Sequence, residues 1–239
     1  MNKTELKGSV ILNPVPVVLV TSRNKEGKNN VFTVGWTGTI NTKPPMLYIS
    51  IRPERLSYEY IKESMDFVIN MPSSKLVKAV DYCGVKPGRK FDKISEMNFT
   101  LHESTNVSAP YIEECPVNIE CRVKQIIPLG THDMFIAEVL SSHVNEDLFD
   151  EKGKIHFEKA DMLSYCHGEY FPLSHTPIGT FGFSVMKKKT IKRKNIETER
   201  NQKKTSKNTS SKNKQIKNSA SHKKKSSNTF KFKKKTNKK

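Results

Sequence analysis

The chain has 239 residues and carries 42 Lys and Arg against 24 Asp and Glu, a formal charge of +18. The excess sits at one end: from Lys187 onward there are 22 basic residues and only two acids, Glu197 and Glu199, a net +20, so residues 1–186 hold 20 basic and 22 acidic residues and a net −2. The body is therefore a near-neutral globular chain long enough for one sizeable core, and the overall basicity does not mark it as a nucleic-acid enzyme.

Val15 to Thr21 (VPVVLVT) is a short β-branched run closed by the turn-rich SRNKEGKNN, and it predicts a buried strand followed by a loop or hairpin. Residues 31–40 (VFTVGWTGTI) predict a second strand, in which Gly35 and Gly38 signal a bulge or a close approach by another group. Pro44 and Pro45 break the chain, and MLYISIR (46–52) alternates as a strand that Pro53 ends. LSYEYIKESM then has helical spacing, with Ser57 at the N-cap or in the first turn. DFVINM (66–71) predicts another strand, and Ser73 is expected to cap a helix over SSKLVKAVDYC. Residues 84–108 are polar and irregular and predict a long loop with some helix. In VNIECRVKQII (117–127), Val117, Ile119, Cys121 and Val123 face one way, and Asn118, Glu120, Arg122 and Lys124 the other. With residues 134–144 beyond the turn PLGTHD, this is the strongest hairpin signal in the chain.

Many short strands, few helices and no βαβ rhythm predict a mainly β fold with short helices, closed or split as a barrel. From Lys187 the composition falls to Lys, Asn, Ser and Thr with few apolar residues, so a disordered lysine-rich tail is expected over 187–239 beside one domain over 1–186. The four cysteines, Cys83, Cys115, Cys121 and Cys166, form no C-x-x-C pair and complete no zinc spacing with histidine; no metal site is expected, and the thiols read as reduced and buried. No apolar run approaches the ~20 residues of a membrane helix and no signal core opens the chain, so a cytoplasmic location is expected.

The chain lacks a dinucleotide fingerprint, a phosphate-binding P-loop, a nucleophile elbow and a zinc-protease motif. Seven segments in order nevertheless match a known pattern: PVPVVLVTS (14–22), TVGWTG (33–38), KPPMLYISIRPERLSYEYIKES (43–64), DFVINMP (66–72), GRKFDKI (88–94), GTHDMFIAEV (130–139) and HGEYFPLSHTPIGTFGFSV (167–185). In this order and spacing the chain resembles the flavin reductase-like family, the FMN-binding split barrels, in its flavoredoxin-like branch. The resemblance implies a homodimer with one FMN per subunit near the interface. It implies that Thr33, Val34 and Gly35 lay backbone, and Trp36 its indole, against the isoalloxazine ring. Ser50 and Arg52 would reach the flavin edge, Arg55 and Ser57 the phosphate, and Lys93, His132 and Tyr165 would lie close to the flavin.

Three of these positions also have a reading of their own. The helix opening at Ser57 offers free N–H groups and a dipole to a phosphate, and Arg52 and Arg55 add charge-assisted donors; a solvated Arg pair beside an ordinary cap is the plain alternative. Trp36 lies among glycines that let a flat ring approach the backbone, or it is simply core. His132 is either an exposed turn residue or, as the catalytic candidate, a hydrogen-bonding partner of flavin or nicotinamide. The expected reaction is hydride transfer from NADH or NADPH to FMN, then electron delivery to a small-molecule or protein acceptor. The alternatives are an FMN electron carrier with no NAD(P)H activity of its own, and a nucleic-acid-associated protein using its tail. Such a tail, mostly lysine, would attract nucleic acid weakly and without sequence preference.

Overall fold

The computed structural model describes residues 1–187 and 190, and the chain divides into two parts between Pro177 and Ile178. Apart from Lys187 and Thr190, the tail expected over 187–239 lies outside the described residues.

The first part opens with β1 (Val15–Pro16), β2 (Val18–Arg23), β3 (Asn29–Val34), β4 (Thr37–Thr42) and β5 (Pro45–Ile51). Helix α1 (Leu56–Ser64), β6 (Asp66–Met71), α2 (Val77–Val85), α3 (Lys93–Glu96), β7 (Leu101–His102) and β8 (Tyr111–Ile112) follow. The long hairpin β9 (Val117–Pro128) and β10 (Asp133–Val144) and the short hairpin β11 (Leu163–Cys166) and β12 (Glu169–Pro172) complete it. Seven strands form one antiparallel sheet in the order β3-β2-β6-β9-β10-β5-β4, while β1, β11 and β12 form a second sheet of three.

The large sheet is rolled up. Val20 of β2, Phe32 of β3, Ile49 of β5, Phe67 of β6, Cys121 of β9 and Phe135 of β10 belong to one buried cluster, although β3 and β4–β5 lie at opposite ends of the strand order. Such a cluster forms only if the sheet closes on itself, and Ile61 of α1 joins it. Bulges between Ile136 and Ala137 and between Val139 and Ser141 supply the local bend. The outer face of β2 and β3 is covered too: Leu19 and Val31 pack against Ala79, Val80 and Cys83 of α2. That is why VPVVLVT is apolar at nearly every position instead of alternating. The mainly β split-barrel expectation holds.

Several local expectations are revised. Residues 31–40 are two strands broken at Gly35–Trp36, because β3 and β4 are the two edges of the sheet and the chain must step from one to the other there. Gly38 lets the Tyr48 ring of the neighbouring strand lie close: a Cβ on it would sit 3.1 Å from Tyr48 Cε1, and the ring would have to give way by a few tenths of an ångström. Ser57 lies in the first turn of α1, one of the two places expected for it, while Arg55, in extended conformation, precedes the helix as its cap residue; the helix ends at Met65 in the left-handed region, whose N–H returns to the Ile61 carbonyl at 2.8 Å. Ser73 makes no side-chain cap bond, and a 3₁₀ turn over Ser74–Leu76 intervenes before α2.

The second face of β9 is buried at Asn118 and Glu120 and exposed at Arg122 and Lys124. Glu120 is fully buried and accepts from Thr105 N (3.0 Å), Asn106 N (2.7 Å) and Asn106 Nδ2 (3.0 Å), while His143 Nε2 lies 2.6 Å away. Asn118 Nδ2 donates to Asn70 Oδ1 at 2.9 Å, and Asn70 Oδ1 also accepts from Ile112 N at 2.8 Å. Asp66 accepts from both Ser108 N and Ser108 Oγ at 2.8 Å. These side chains satisfy the backbone of the loop over 103–112 and clamp it onto the barrel.

In the second part, Phe183–Val185 form a 3₁₀ turn after Gly182, and Ile178, Phe181, Phe183 and Val185 are exposed. Among the described residues no helix is long and apolar enough to cross a membrane, and no cluster of His, Cys, Asp or Glu could hold a metal ion.

Candidate functional site

The step from one sheet edge to the other leaves a gap in the barrel wall. β3 is hydrogen-bonded only to β2, so backbone groups on its other side face that gap. A cleft of about 580 Å³ opens there, within the range of small-molecule and cofactor sites. Its walls include the end of β3, the Gly35–Trp36 step, the end of β5, the turn before β10 and the β11–β12 hairpin.

Trp36 is 42% exposed and so is not core; its ring centroid lies 4.4 Å from that of His132, tilted by 43°. The Trp36 carbonyl accepts from Ser50 N at 2.9 Å, which carries the β5 pairing past the end of β4 and fixes the indole at the gap. His132 closes the turn from β9 to β10, its carbonyl accepting from Leu129 N at 3.0 Å and its Nδ1 lying 3.0 Å from Thr131 Oγ1. Burial first, then the Arg52 guanidinium, pushes the His132 imidazole below its ordinary value, with Glu54 opposing and Arg55 adding to the fall. The imidazole is therefore neutral at pH 7 and can donate or accept a hydrogen bond.

Nine of the eleven candidate residues line this cleft: Thr33, Val34, Gly35, Trp36, Ser50, Arg52, Arg55, His132 and Tyr165. Thr33 contributes position rather than a free hydroxyl, since its Oγ1 donates to the Val80 carbonyl of α2. Val34 is part of the barrel core, and Tyr165 packs edge-on to Tyr170 at 5.4 Å. Arg52 is half-exposed, 3.6 Å from Glu54, while Arg55 makes no ion pair among the described residues.

Ser57 and Lys93 lie behind this wall. Ser57 is fully buried and its Oγ accepts from Asn30 Nδ2 at 2.7 Å, leaving its own hydroxyl proton to donate. Lys93 is 3% exposed; its Nζ donates to the Cys83 carbonyl at 3.2 Å and meets no carboxylate among the described residues. Burial lowers the Lys93 ammonium to about 8, with Arg55 pushing further down against the opposing pull of Cys83. Lys93 lines a second cavity of about 570 Å³ whose wall includes Leu56, the residue after Arg55. The start of α1 thus stands between the two cavities.

Two parts of the cleft wall carry no sequence expectation as site residues. One is the N-terminal arm, with Val10, Leu12 and Asn13; the other is the β11–β12 turn, with His167, Gly168 and Tyr170. They touch, His167 N donating to Asn13 Oδ1 at 3.3 Å. The turn has a readable signal, because His167 and Gly168 both adopt positive φ (48° and 98°), as a two-residue hairpin turn of this kind demands of a His-Gly pair between two short strand runs. The arm has none, being an irregular segment placed only by what it packs against.

A planar heterocycle with a phosphate tail fits this donor set: a slot beside one indole and one neutral imidazole, strand-edge amides, and near a helix start two cations, Arg55 and Lys93, without carboxylate partners among the described residues. Comparison with known proteins agrees. Residues 12–174 match the family model described as a flavin reductase like domain. A flavoredoxin from Methanosarcina acetivorans is 30% identical, with a TM-score of 0.70 over 78% of this chain and 100% of that one. A flavoredoxin of Desulfovibrio vulgaris (Miyazaki F) is 26% identical, with a TM-score of 0.72 over 77% of this chain and 100% of that one. Among sequence relatives, an NADPH-flavin oxidoreductase of Streptomyces viridifaciens is 24% identical over 64% of this chain and 79% of its own length. With a matched model across most of the chain, and a split barrel whose wall opens beside Trp36, this protein belongs to the flavin reductase-like family.

Proposed function

We propose that the protein is an FMN-dependent oxidoreductase that takes electrons from NADH or NADPH and passes them to a second acceptor. The observation that carries this reading is the pairing of the Trp36–His132 slot with Arg55 at the start of α1 and with buried Lys93 behind it, neither of which has a carboxylate partner among the described residues. Bound flavin supplies the reversible hydride and single-electron chemistry. The chain's own residues bind and orient. Trp36 would lie against the ring with Tyr165 close to it, and the outward backbone groups of Thr33, Val34 and Gly35, with Ser50, would hydrogen-bond its edge. Arg52, Arg55, the Ser57 hydroxyl and Lys93 draw the phosphate to the first turn of α1. His132, neutral at pH 7, contacts the reacting edge as donor or acceptor without placing a second cation there. The relative named as an NADPH-flavin oxidoreductase supports a pyridine nucleotide as donor. Stopped-flow mixing of the flavin-loaded protein with NADPH distinguishes this from a carrier reduced only by a protein partner.

The test of the binding site uses the single tryptophan as its own probe. Titration with FMN quenches Trp36 emission strongly, and replacing Arg52 and Ser57 together by Ala weakens FMN by at least roughly a hundredfold, since each charge-assisted bond contributes about 1.5–3 kcal/mol. Unchanged emission at saturation, or wild-type affinity in the double variant, refutes the assignment. Two further parts of the reading are a homodimer, in which exposed Ile178, Phe181, Phe183 and Val185 find cover, and weak, salt-sensitive retention of nucleic acid by the +20 lysine-rich tail.

A further inference from the structure

The turn that carries His132 has little to hold it by itself. Leu129 and Thr131 are exposed, Gly130 has a φ of 102° with room for a Cβ on every side, and the turn is closed by the bond from Leu129 N to the His132 carbonyl. Yet the His132 ring stands 4.4 Å from that of Trp36, in a cleft open to solvent.

What fixes it begins at the next residue. Asp133 opens β10 and shares a face with Phe135 and Ala137, both in the barrel core, so its carboxylate points inward while His132, one residue back, points out into the cleft. Asp133 is 9% exposed and makes no ion pair among the described residues. Its side-chain partner is the Tyr58 hydroxyl, which donates to Asp133 Oδ2 at 2.7 Å. Tyr58 is itself held firmly. Its ring lies edge-on to Phe135, with 5.4 Å between centroids and 88° between planes, and Lys62 Nζ is 5.6 Å from its centroid. Its N–H donates to the Arg55 carbonyl at 3.0 Å. The Asp133 bond first, then burial, raises the Tyr58 phenol above its ordinary 10, so it remains a donor at neutral pH. Tyr58 stands in the first turn of α1 with Ser57, and its bond ties the His132 turn to the helix start assigned above to the phosphate.

We propose that Tyr58 is a positioning residue: through Asp133 it holds the β9–β10 turn so that His132 stands beside Trp36 at the reacting edge of the flavin. The catalytic part rests on the flavin reading of the cleft; the anchoring of His132 does not. A nearly buried carboxylate that loses its donor turns towards water, and the strand end that carries His132 moves with it. The groups that face His132, namely Arg52, Glu54, Arg55, Thr131 and Trp36, all stay in place when the Tyr58 hydroxyl is removed.

The experiment replaces Tyr58 by Phe in the full chain, which keeps the ring on Phe135 and removes the hydroxyl. Trp36, the single tryptophan, reads the place of His132 without any flavin, because an imidazolium against an indole quenches its emission. Acidification from about pH 8 to about pH 5 lowers the wild-type emission in a step that His132→Asn abolishes. In Tyr58→Phe the step loses most of its amplitude, and its midpoint moves up towards the ordinary imidazole value of 6.5. Asp133→Asn keeps an acceptor for the hydroxyl and retains the amplitude; Asp133→Leu loses it, and Tyr58→Phe/Asp133→Leu loses no more than either alone. With FMN bound, stopped-flow reduction by NADPH is roughly tenfold slower in Tyr58→Phe while FMN affinity changes by less than about twofold, the split expected when a group at the reacting edge is misplaced. A wild type without the His132 step, a wild-type amplitude in Tyr58→Phe, a lost amplitude in Asp133→Asn, additive losses in the double variant or an unchanged rate of reduction overturns the inference. So does a loss of FMN affinity as large as the loss of rate, which would make the bond a support of α1 alone. If the amplitudes follow this pattern while the chain binds no FMN, the flavin reading fails and the anchoring of His132 stands, so the two failures are separable.

Discussion

Replacing Lys93 by Met should make the flavin-free protein more stable at neutral pH. Lys93 is 3% exposed, has one neutral partner, the Cys83 carbonyl at 3.2 Å, and is held at about 8 against an ordinary 10.5. Below pH 8 the folded and unfolded chains both carry this charge, and the folded one bears the desolvation cost. Between pH 8 and 10.5 the unfolded chain holds a proton that the folded chain has released, so stability climbs with pH and then levels. At about 1.4 kcal/mol per pH unit, the full rise is on the order of 3 kcal/mol. Met keeps the aliphatic volume and removes the charge. Allowing about 1 kcal/mol for the lost carbonyl bond, Lys93→Met is more stable by about 1–3 kcal/mol at pH 7, and the gain vanishes by pH 10.5. Urea unfolding followed by circular dichroism, on both chains from pH 6 to 10.5, reads the difference directly; the lysine-rich tail titrates in both and cancels. Saturating FMN should reverse the order at pH 7, since the wild type gains an anion beside its ammonium and the variant does not. A variant equal to or less stable than wild type at pH 7, or parallel pH profiles, would show that Lys93 is already compensated and refute its role as an anion-seeking charge.

Glu120→Gln sets an amide NH₂ against backbone donors at Thr105 and Asn106 and should cost about 2–4 kcal/mol in urea unfolding, with faster hydrogen exchange over 103–109. Burial alone would raise the Glu120 carboxyl, but hydrogen bonds from His143, Thr105 and Asn106 outweigh it and hold the group below its ordinary 4.5; its stabilisation is present above that value and is lost as pH falls through the lower folded one. Gly88→Ala should displace the Asn30 side chain, loosen its bond to Ser57 and weaken FMN several-fold by fluorescence titration, because the added Cβ falls 2.5 Å from Asn30 Oδ1 and the amide must turn away to relieve it. Light scattering of the full chain at micromolar concentration should give a dimer mass, and Phe181→Glu should lower it toward the monomer; a monomer from the start removes the proposed role of the exposed 178–185 segment.

Local pattern was enough for the elements and for the class of fold. Alternation along 117–127 and 134–144 predicts β9 and β10, the spacing of LSYEYIKESM predicts α1, and the composition change near Lys187 marks the basic tail, because periodicity and composition are properties of neighbouring residues. The resemblance of seven ordered motifs brought forward the candidate residues, nine of which line one cleft. Tertiary structure alone decided the rest. Alternation along β9 separates its two faces but not what covers the polar one: Glu120 and Asn118 are buried, since a distant loop supplies backbone donors and acceptors that no local rule anticipates. Gly35–Trp36 reads as the middle of one strand, yet it is the step between the two edges of a rolled sheet, and only closure of the sheet makes that step a binding wall. Ser57 and Lys93 sit behind that wall because α1 and the loop over 86–92 pack side by side across β3, a contact between segments some thirty residues apart whose meaning is carried by burial and charge and not by spacing along the chain.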